Sequence, residues 1–205
     1  MRSGKEVSMR NIKIYMMLLI SLIFLSGCGS HKVYRSSTMV SNPYHASNLN
    51  SGIKQKYLNA INKVRSQARS CGRAGHFSSA PALRWSDTLY KAAYEHSNDM
   101  AKSGTFSHKG SNQASDWTAK VQHLGRSSSF KERIENNGYR NWRHIAENIE
   151  SGSSSVDAAM AHWVHSDRHC ANIMNPRFTD VGMAYAKKQG SRLSYYWTQN
   201  FGTRQ

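Results

Sequence analysis

The spacing of apolar side chains predicts a first amphipathic helix shortly after residue 50. Five apolar side chains recur there every three or four residues, which is the period of one helix face: Ile53, Tyr57, Ile61, Val64 and Ala68. Asn50 and Ser51 come at its start, and either side chain is suited to cap the first turn. We therefore expect the folded part of the chain to begin near Ile53.

A second predicted helix has clearer ends. Ser86 is a good N-cap, Asp87 suits the first turn, and Gly104 suits the left-handed residue that follows a helix. The stripe predicted to face the core is Leu89, Ala92, Ala93, His96 and Met100. Because His96 lies on an apolar stripe, we expect a core histidine; contact with a functional cleft is the alternative.

The remaining pattern places short helices before two closing strands. Helical segments are predicted around residues 117–124, at 130–137, after a capping loop at 151–155, and at 166–174. Residues 181–186 and 193–201 are apolar and aromatic runs on either side of a glycine-containing loop, as in a β-hairpin. Helices first and strands last, without regular alternation, favour an α+β fold.

The N-terminus has the layout of a secretory signal. Basic residues precede an apolar run at 14–25, which is too short to span a bilayer comfortably as a helix. The run ends in Leu25-Ser26-Gly27-Cys28, which resembles the bacterial lipobox, whose cysteine carries the lipid. We predict a signal peptide at 1–27 and a lipid anchor on Cys28, which several acyl chains would make stable. A plain signal peptide with a chance cysteine is the alternative, and Met9 is an alternative start.

Composition and charge favour a tethered domain in the cell envelope. Residues 28–52 are polar and have no apolar period, which predicts a lipidated tether before a domain at 53–205. The chain carries a net charge of +16, and removal of residues 1–27, with four basic residues and Glu6, leaves about +13. This charge favours anionic lipid, glycan or cell-wall polymer as partners, whereas export argues against nucleic acid. A merely solvated basic surface is the alternative.

Two further features depend on the predicted export. Gly29 stands where an aspartate often retains lipoproteins at the inner membrane, so in a Gram-negative cell we expect the outer membrane, facing the periplasm. In an oxidising compartment Cys71 and Cys170 are expected to form a disulfide, which would stabilise the fold by roughly 4 kcal/mol. Two buried free thiols are the alternative.

Three segments place an ionisable residue beside apolar anchors, at 106–108, 146–149 and 163–173. Their candidate groups are His108, Glu147 and His169. These residues lie far apart in sequence and lack a local metal-ligand spacing, so taken alone they are a weak indication of a site. Hydrogen bonds that merely hold a cleft in shape are the alternative.

The order and neighbours of these segments resemble the CAP superfamily, also called the SCP or sperm-coating-protein domain family, in its bacterial secreted branch. The resemblance runs from Ile53 to Gly202. Its motifs, in chain order, are Leu83-Arg84-Trp85-Ser86 with the following helix, Phe106-Ser107-His108, Phe130 to Tyr139, Ala146-Glu147-Asn148-Ile149, the series Trp163, Ser166, His169, Asn172 and Ile173, then Val181-Gly182, and Tyr196 to Gly202. Several motifs in the right order over a whole domain make the resemblance specific.

The resemblance implies a three-layer α-β-α sandwich with a central, mainly antiparallel sheet and a cleft near it. In many members this cleft holds two histidines and two acids, which bind zinc or another divalent cation. His108, Glu147 and His169 match three of them, but Ser166 stands at the place of the second acid, so metal should bind less firmly. Three ligands leave a position open for water, which is compatible with catalysis. Ser166 and His96 are further cleft candidates; for Ser166 we favour a helix cap over a nucleophile.

The expected function is that of a membrane-anchored binding module for a lipid, glycan fragment or peptide, since most family members have no established catalytic mechanism. One alternative is a metal-dependent hydrolase, a peptidase or esterase acting on envelope substrates, with Glu147 as ligand or general base. Another is a structural lipoprotein whose basic face binds anionic surfaces. Of these we favour the non-enzymatic binding module.

Overall fold

A computed structural model of the protein describes residues 46–188, 190 and 194–205. The predicted signal peptide, Cys28 and most of the predicted tether lie outside these residues. The described helices are α1 (Ser51–Arg65), α2 (Asp87–Ser103), α3 (Trp117–Val121), α4 (Phe130–Asn136), α5 (Val156–His165) and α6 (Asp167–Met174). The described strands are β1 (Arg69–Ser70), β2 (His76–Phe77), β3 (Arg84–Trp85), β4 (Trp142–Ser151), β5 (Asp180–Lys187) and β6 (Tyr195–Arg204).

The main sheet has four strands in the order β3-β5-β6-β4. The β3 strand runs parallel to β5, whereas β6 pairs antiparallel with both β5 and β4. β1 and β2 form a separate small antiparallel pair. The predicted central, mainly antiparallel sheet is therefore confirmed.

Helices cover both faces of this sheet. On one face, Val181, Met183, Trp197 and Phe201 share a core cluster with side chains of α1, α5 and α6. The alternate side chains of the same strands pack against α2, since the pleat sends successive residues to opposite faces. At Gly182 an added Cβ would lie 2.0 Å from the backbone nitrogen of Tyr90, so glycine is what lets α2 approach the sheet. The layers form the predicted three-layer α-β-α sandwich.

The second predicted helix is confirmed at both ends. The Ser86 side chain accepts a hydrogen bond from the Leu89 backbone N–H at 3.3 Å, and Gly104 ends α2 with a φ of +74°. The predicted stripe is buried throughout. In α1 the Asn50 cap is confirmed, but Ile53 is 42% exposed and Ala68 lies beyond the helix end, so two members of the predicted stripe were wrong.

The order of the elements and the start of the packed chain differ from the prediction. β4 precedes α5 and α6, so the strands do not all come last. Its polar residues Glu147, Asn148 and Glu150 are buried, so the sequence lacks the alternation of apolar and polar residues that is typical of a strand. At the start, Ala46 is 5% exposed and packs with Tyr90 of α2. The packed chain therefore reaches back at least to Ala46, which lies in the segment predicted as the tether.

The predicted disulfide is confirmed. Cys71 and Cys170 are bonded, with Cα atoms 5.4 Å apart, and the bond joins the turn Gly72–Ala74 to α6. Arg73 and Asp167 form an ion pair beside it, with Nε 3.1 Å from Oδ2. Within the described ranges, none of the helices combines the length and the apolar character that a membrane span requires.

Candidate functional site

Four side chains from different elements meet on the α2 face of the sheet, at the edge strand β4. Glu147 lies in β4, His96 in α2 and Arg133 in α4, while His108 lies in the loop that follows α2. The next residue of β4, Asn148, points to the other face and contacts α6. The structure thus brings His108 and Glu147 together as predicted, with His96 beside them.

Glu147 is the centre of this cluster. Its side chain is only 1% exposed, and its Oε1 lies 3.0 Å from Nδ1 of His108. Arg133 donates from Nη2 to both carboxylate oxygens, at 3.0 Å to Oε2 and 3.3 Å to Oε1. Because a carboxylate only accepts hydrogen bonds, Nδ1 of His108 donates the hydrogen of this contact. The His108 side chain is 50% exposed, so its ring reaches the surface of the site.

Arg133 keeps the Glu147 carboxyl ionised. Burial alone would raise the pKa of Glu147, but the charge of Arg133, followed by the interactions with His96 and His108, lowers it to about 2. The Arg133 side chain is also buried, and it donates to the carbonyl oxygens of His108 and Ser128 at 2.9 and 3.1 Å. Glu147 is therefore a fixed anion at neutral pH.

His96 is both a core histidine and a neighbour of the site. Its Nε2 donates to the carbonyl of Ser107 at 2.8 Å and lies 3.9 Å from Oε1 of Glu147. Burial, and next the charge of Arg133, lower the pKa of His96 to about 3, so the ring is neutral. Its Nδ1 is buried and has no hydrogen-bond partner among the described residues. The two predictions for His96, core histidine and cleft residue, are thus not exclusive.

Two buried aspartates fix the loop that carries His108. Asp99 accepts hydrogen bonds from the backbone N–H and the hydroxyl of Ser111, at 2.8 and 2.5 Å. Asp116 accepts from the backbone N–H and the hydroxyl of Ser128, at 3.0 and 2.6 Å. Because buried carboxylates with several donors are costly to displace, the loop and His108 are held in place.

His169 lies in α6, on the other side of β4. Its ring is half-buried; burial, and next the charge of His108, lower the pKa of His169. The carbonyl of His169 accepts from Nδ2 of Asn148 at 3.2 Å, and Nδ2 of Asn172 donates to Oδ1 of Asn148 at 2.9 Å. These two asparagines join α6 to β4, and Cys170 ties the same helix to the disulfide.

The three predicted metal ligands do not form a ligand set in this arrangement. Both oxygens of Glu147 face protein donors, and Arg133 supplies the positive charge that a metal ion would bring. Across residues 46–188, 190 and 194–205, no group of three or more histidine, cysteine, aspartate or glutamate side chains has the geometry to hold a metal ion. As arranged, the donors do not fit zinc, and the predicted metal stays a prediction.

The other cleft candidate, Ser166, occupies the N-cap position of α6. Within the described structure its side chain makes no capping hydrogen bond, although Asp167 stands in the first turn. His165 is exposed, and its Nδ1 donates to the carbonyl of Ala161 at 2.7 Å. Neither residue joins the cluster around Glu147.

Sequence reasoning missed Arg133 as the charge partner of Glu147. Arg133 belongs to a helix of mostly polar residues, where an arginine is usually solvated. The available signal was its neighbour Ile134, an apolar residue beside a cation in a capped seven-residue helix. That pattern indicates that one side of the helix is buried, but it does not identify Glu147 as the carboxylate that Arg133 contacts.

Several known proteins are similar to this chain in sequence or in fold. The model of the family described as CAP, Cysteine-rich secretory protein family, matches residues 58–201. The uncharacterized protein YkwD of Bacillus subtilis is 29% identical over 119 residues, which is 58% of this chain and 38% of YkwD. The uncharacterized membrane protein YlbC of the same organism is 27% identical over 119 residues, 58% of this chain and 28% of YlbC. The chain therefore spans well under half the length of these two relatives.

Two solved structures share the fold. An extracellular protein containing a SCP domain from Bacillus anthracis has a TM-score of 0.55 and 23% identity, covering 78% of this chain and 45% of that one. An outer surface protein of Borrelia burgdorferi has a TM-score of 0.51 and 16% identity, covering 75% of this chain and 90% of that one. Because the family model matches more than half of its length, this chain belongs to the CAP, or cysteine-rich secretory protein, family.

Proposed function

We propose that this protein is a lipoprotein of a bacterial cell envelope, anchored through Cys28, whose CAP domain binds an envelope ligand and releases it unchanged. The observation that carries the proposal is the buried Arg133–Glu147 ion pair beneath the His108 ring. A general base works best with a pKa near the operating pH, whereas the pKa of Glu147 is about 2. A carboxylate held in this way orients an imidazole and fixes a recognition surface.

The side chains around the pair suit a ligand with polar and apolar parts. The half-exposed ring of His108 has Nε2 on the side away from Glu147, where it can take part in a hydrogen bond, and His169 adds a second, half-buried imidazole. Phe106, two residues before His108, is 46% exposed and adds an apolar surface near it in the chain. A lipid, a glycan fragment or a peptide from the envelope presents such a combination.

The N-terminal motifs and the disulfide support the proposed location in the cell envelope. The predicted signal at 1–27 and the lipobox ending in Cys28 favour export and lipidation. The Cys71–Cys170 bond suits an oxidising compartment. The two solved structures that share the fold are those of an extracellular protein and an outer surface protein. In a Gram-negative cell the anchor would hold the domain at the outer membrane, facing the periplasm.

A hydrolase is a second candidate, favoured by one observation. The contact between His108 Nδ1 and Glu147 has the geometry of an imidazole oriented by a carboxylate, which in many hydrolases acts as a general base through the other nitrogen. This reading requires a reacting group near Nε2 of His108. It predicts turnover, whereas the binding module does not.

The experiment uses the full-length lipoprotein in non-ionic detergent, immobilised and exposed to two probes. The probes are muramidase-released cell-wall fragments and extracted envelope lipids, and mass spectrometry quantifies what is retained and whether its mass has changed. We expect one probe to be retained unchanged, with retention falling at least tenfold in His108→Ala and in His169→Ala. The matched control is His165→Ala, an exposed histidine outside the cluster, which should retain within twofold of wild type.

Three outcomes favour other functions. Shortened products that disappear in His108→Ala would replace binding by hydrolysis. Retention that survives both histidine variants but collapses with added salt would indicate binding by the basic surface alone. Repeating the measurement with ZnCl₂ and with EDTA tests the predicted metal, which a tenfold difference in retention would support.

A further inference from the structure

A second cleft lies at one end of the sheet, apart from the cluster around Glu147. It has a volume of about 570 Å³, within the range of small-molecule sites. Its walls come from β3, the start of α2, Tyr139, and the adjoining ends of β5 and β6. Glu147 pairs with Asn200 in β6, whereas the cleft begins at Thr203, so the two sites share no lining residue.

Two arginines supply the positive charge of this cleft. Arg84 in β3 has a side chain that is 78% exposed, and its Nη2 lies 3.6 Å from Oδ1 of Asp180, too far for a hydrogen bond. The Arg204 guanidinium at the end of β6 lies 4.7 Å from the centre of the Tyr139 ring. A guanidinium carries five N–H donors in a planar fork, so contact with one ring leaves donors for a ligand.

The carboxylates of the cleft are already engaged by the protein. Asp87 is paired with Nζ of Lys54 at 2.7 Å. Asp180 accepts on Oδ2 from the hydroxyl of Tyr139 at 2.8 Å and from the hydroxyl of Thr179 at 3.0 Å. Asp180 also lies within ion-pair distance of Arg84. The three cations Lys54, Arg84 and Arg204 face the two carboxylates Asp87 and Asp180, which leaves one net positive charge for a ligand.

We propose that this cleft binds an anionic sugar, meaning a sugar ring that carries a phosphate or a carboxylate group. Guanidinium groups bind both kinds of oxyanion through paired N–H donors. Ser86, Thr88 and Thr203 line the same cleft; the first two hydroxyls bond to each other and the third donates to the carbonyl of Arg177, and hydroxyl oxygens of this kind keep lone pairs that can accept from a sugar. The half-buried indole of Trp85 lies in the cleft wall, and its N–H donates to Oδ1 of Asp87 at 2.9 Å, so this N–H reports on a ligand in the cleft. This site goes beyond the proposed function, because it uses none of the residues around Glu147.

The test follows the indole N–H signal of Trp85 by NMR in the ¹⁵N-labelled full-length protein, with Trp85→Phe assigning the signal. Glucose 6-phosphate, glucuronate and glucose are the probes, and the tighter of the two acids identifies the preferred oxyanion. We expect a saturable shift with at least one acid and none with glucose. The double variant Arg84→Gln with Arg204→Gln should weaken binding at least tenfold, while Arg84→Lys with Arg204→Lys should retain part of it.

A matched control separates a built site from general attraction. Lys63 and Lys120 are exposed and lie outside the cleft, so Lys63→Gln with Lys120→Gln removes the same charge and should bind within twofold of wild type. Equal weakening in the two double variants would overturn the proposal, as would the lack of a saturable shift with both acids. Inorganic phosphate binding as tightly as glucose 6-phosphate would also overturn it. So would binding to phosphatidylglycerol vesicles that glucose 6-phosphate fails to displace.

The result is independent of the test of the proposed function. Both arginines are exposed, so their variants should unfold at the wild-type temperature, and the retention that depends on His108 should be unchanged. Loss of sugar binding with retained envelope binding would concern this cleft alone.

Discussion

Replacement of Glu147 by glutamine should destabilise the fold strongly, because it leaves the Arg133 guanidinium buried without a counter-charge. The pKa of Glu147 falls from 4.5 to about 2 on folding, which corresponds to about 3 kcal/mol of stabilisation of the ionised form. Breaking a buried ion pair by removing one partner costs about 3–5 kcal/mol in general, which agrees. We therefore expect Glu147→Gln to lower the free energy of unfolding by about 3 kcal/mol.

Urea unfolding at pH 7 measures this loss, and thermal unfolding should show a midpoint lowered by roughly 10 °C for a domain of this size. Asp157→Asn is the control, since Asp157 is an exposed carboxylate in α5 whose loss should cost less than about 1 kcal/mol. Adding Arg133→Met to Glu147→Gln should recover part of the loss, because the unpaired charge is then removed. A Glu147→Gln protein within about 1 kcal/mol of wild type would refute the ion pair as described.

The same carboxylate sets a pH dependence with a defined sign. A group whose pKa is lower in the folded chain stabilises the fold fully above its unfolded pKa, here 4.5. That contribution is lost as the pH falls from 4.5 towards 2. The stability of Glu147→Gln should therefore change less than that of wild type over this window.

Three further predictions concern other parts of the chain. The pKa of His96 is about 3 in the folded chain, so below pH 6.5 the unfolded chain gains a proton that the folded chain does not. The free energy of unfolding should therefore fall by up to about 1.4 kcal/mol per pH unit between pH 6.5 and 3. His96→Gln should remove this part of the pH dependence of the urea midpoint. Replacing Cys71 and Cys170 by alanine should cost roughly 4 kcal/mol by urea unfolding, and a loss below about 1 kcal/mol would contradict a stabilising bond. Cys28→Ser should move the protein from the detergent phase to the aqueous phase in phase partitioning, whereas continued detergent partitioning would contradict the lipid anchor.

The sequence predicted best those elements whose ends carry local signals. The helix α2 has a serine N-cap, an acidic residue in its first turn and a glycine at its end, and each of these signals acts through residues that are close in sequence. The strand β4 escaped prediction because three polar residues in it are buried, and each owes its burial to partners distant in sequence. Glu150, for example, is paired with His162 of α5 at 2.9 Å.

The candidate site was likewise predicted where sequence motifs specify it and missed where distant packing decides it. His108 and Glu147 could be predicted to meet because the family motifs keep their order, although 39 residues separate them. Arg133 could not be assigned to Glu147, because its role depends on α4 packing over β4, which no local pattern specifies. The resemblance included Arg133 in the segment Phe130 to Tyr139 but gave it no role as the cation that holds Glu147 ionised.

The most direct test of the binding module is an NMR measurement of the imidazole signals of His108 and His169 in the full-length protein. Cell-wall fragments or envelope lipids, whichever are retained on the immobilised protein, are added and followed for a day. The account predicts saturable shifts of both imidazole signals that reverse when the ligand is washed out with its mass unchanged. Unshifted imidazole signals under saturating ligand, or steady conversion of the ligand to a smaller product, would contradict it.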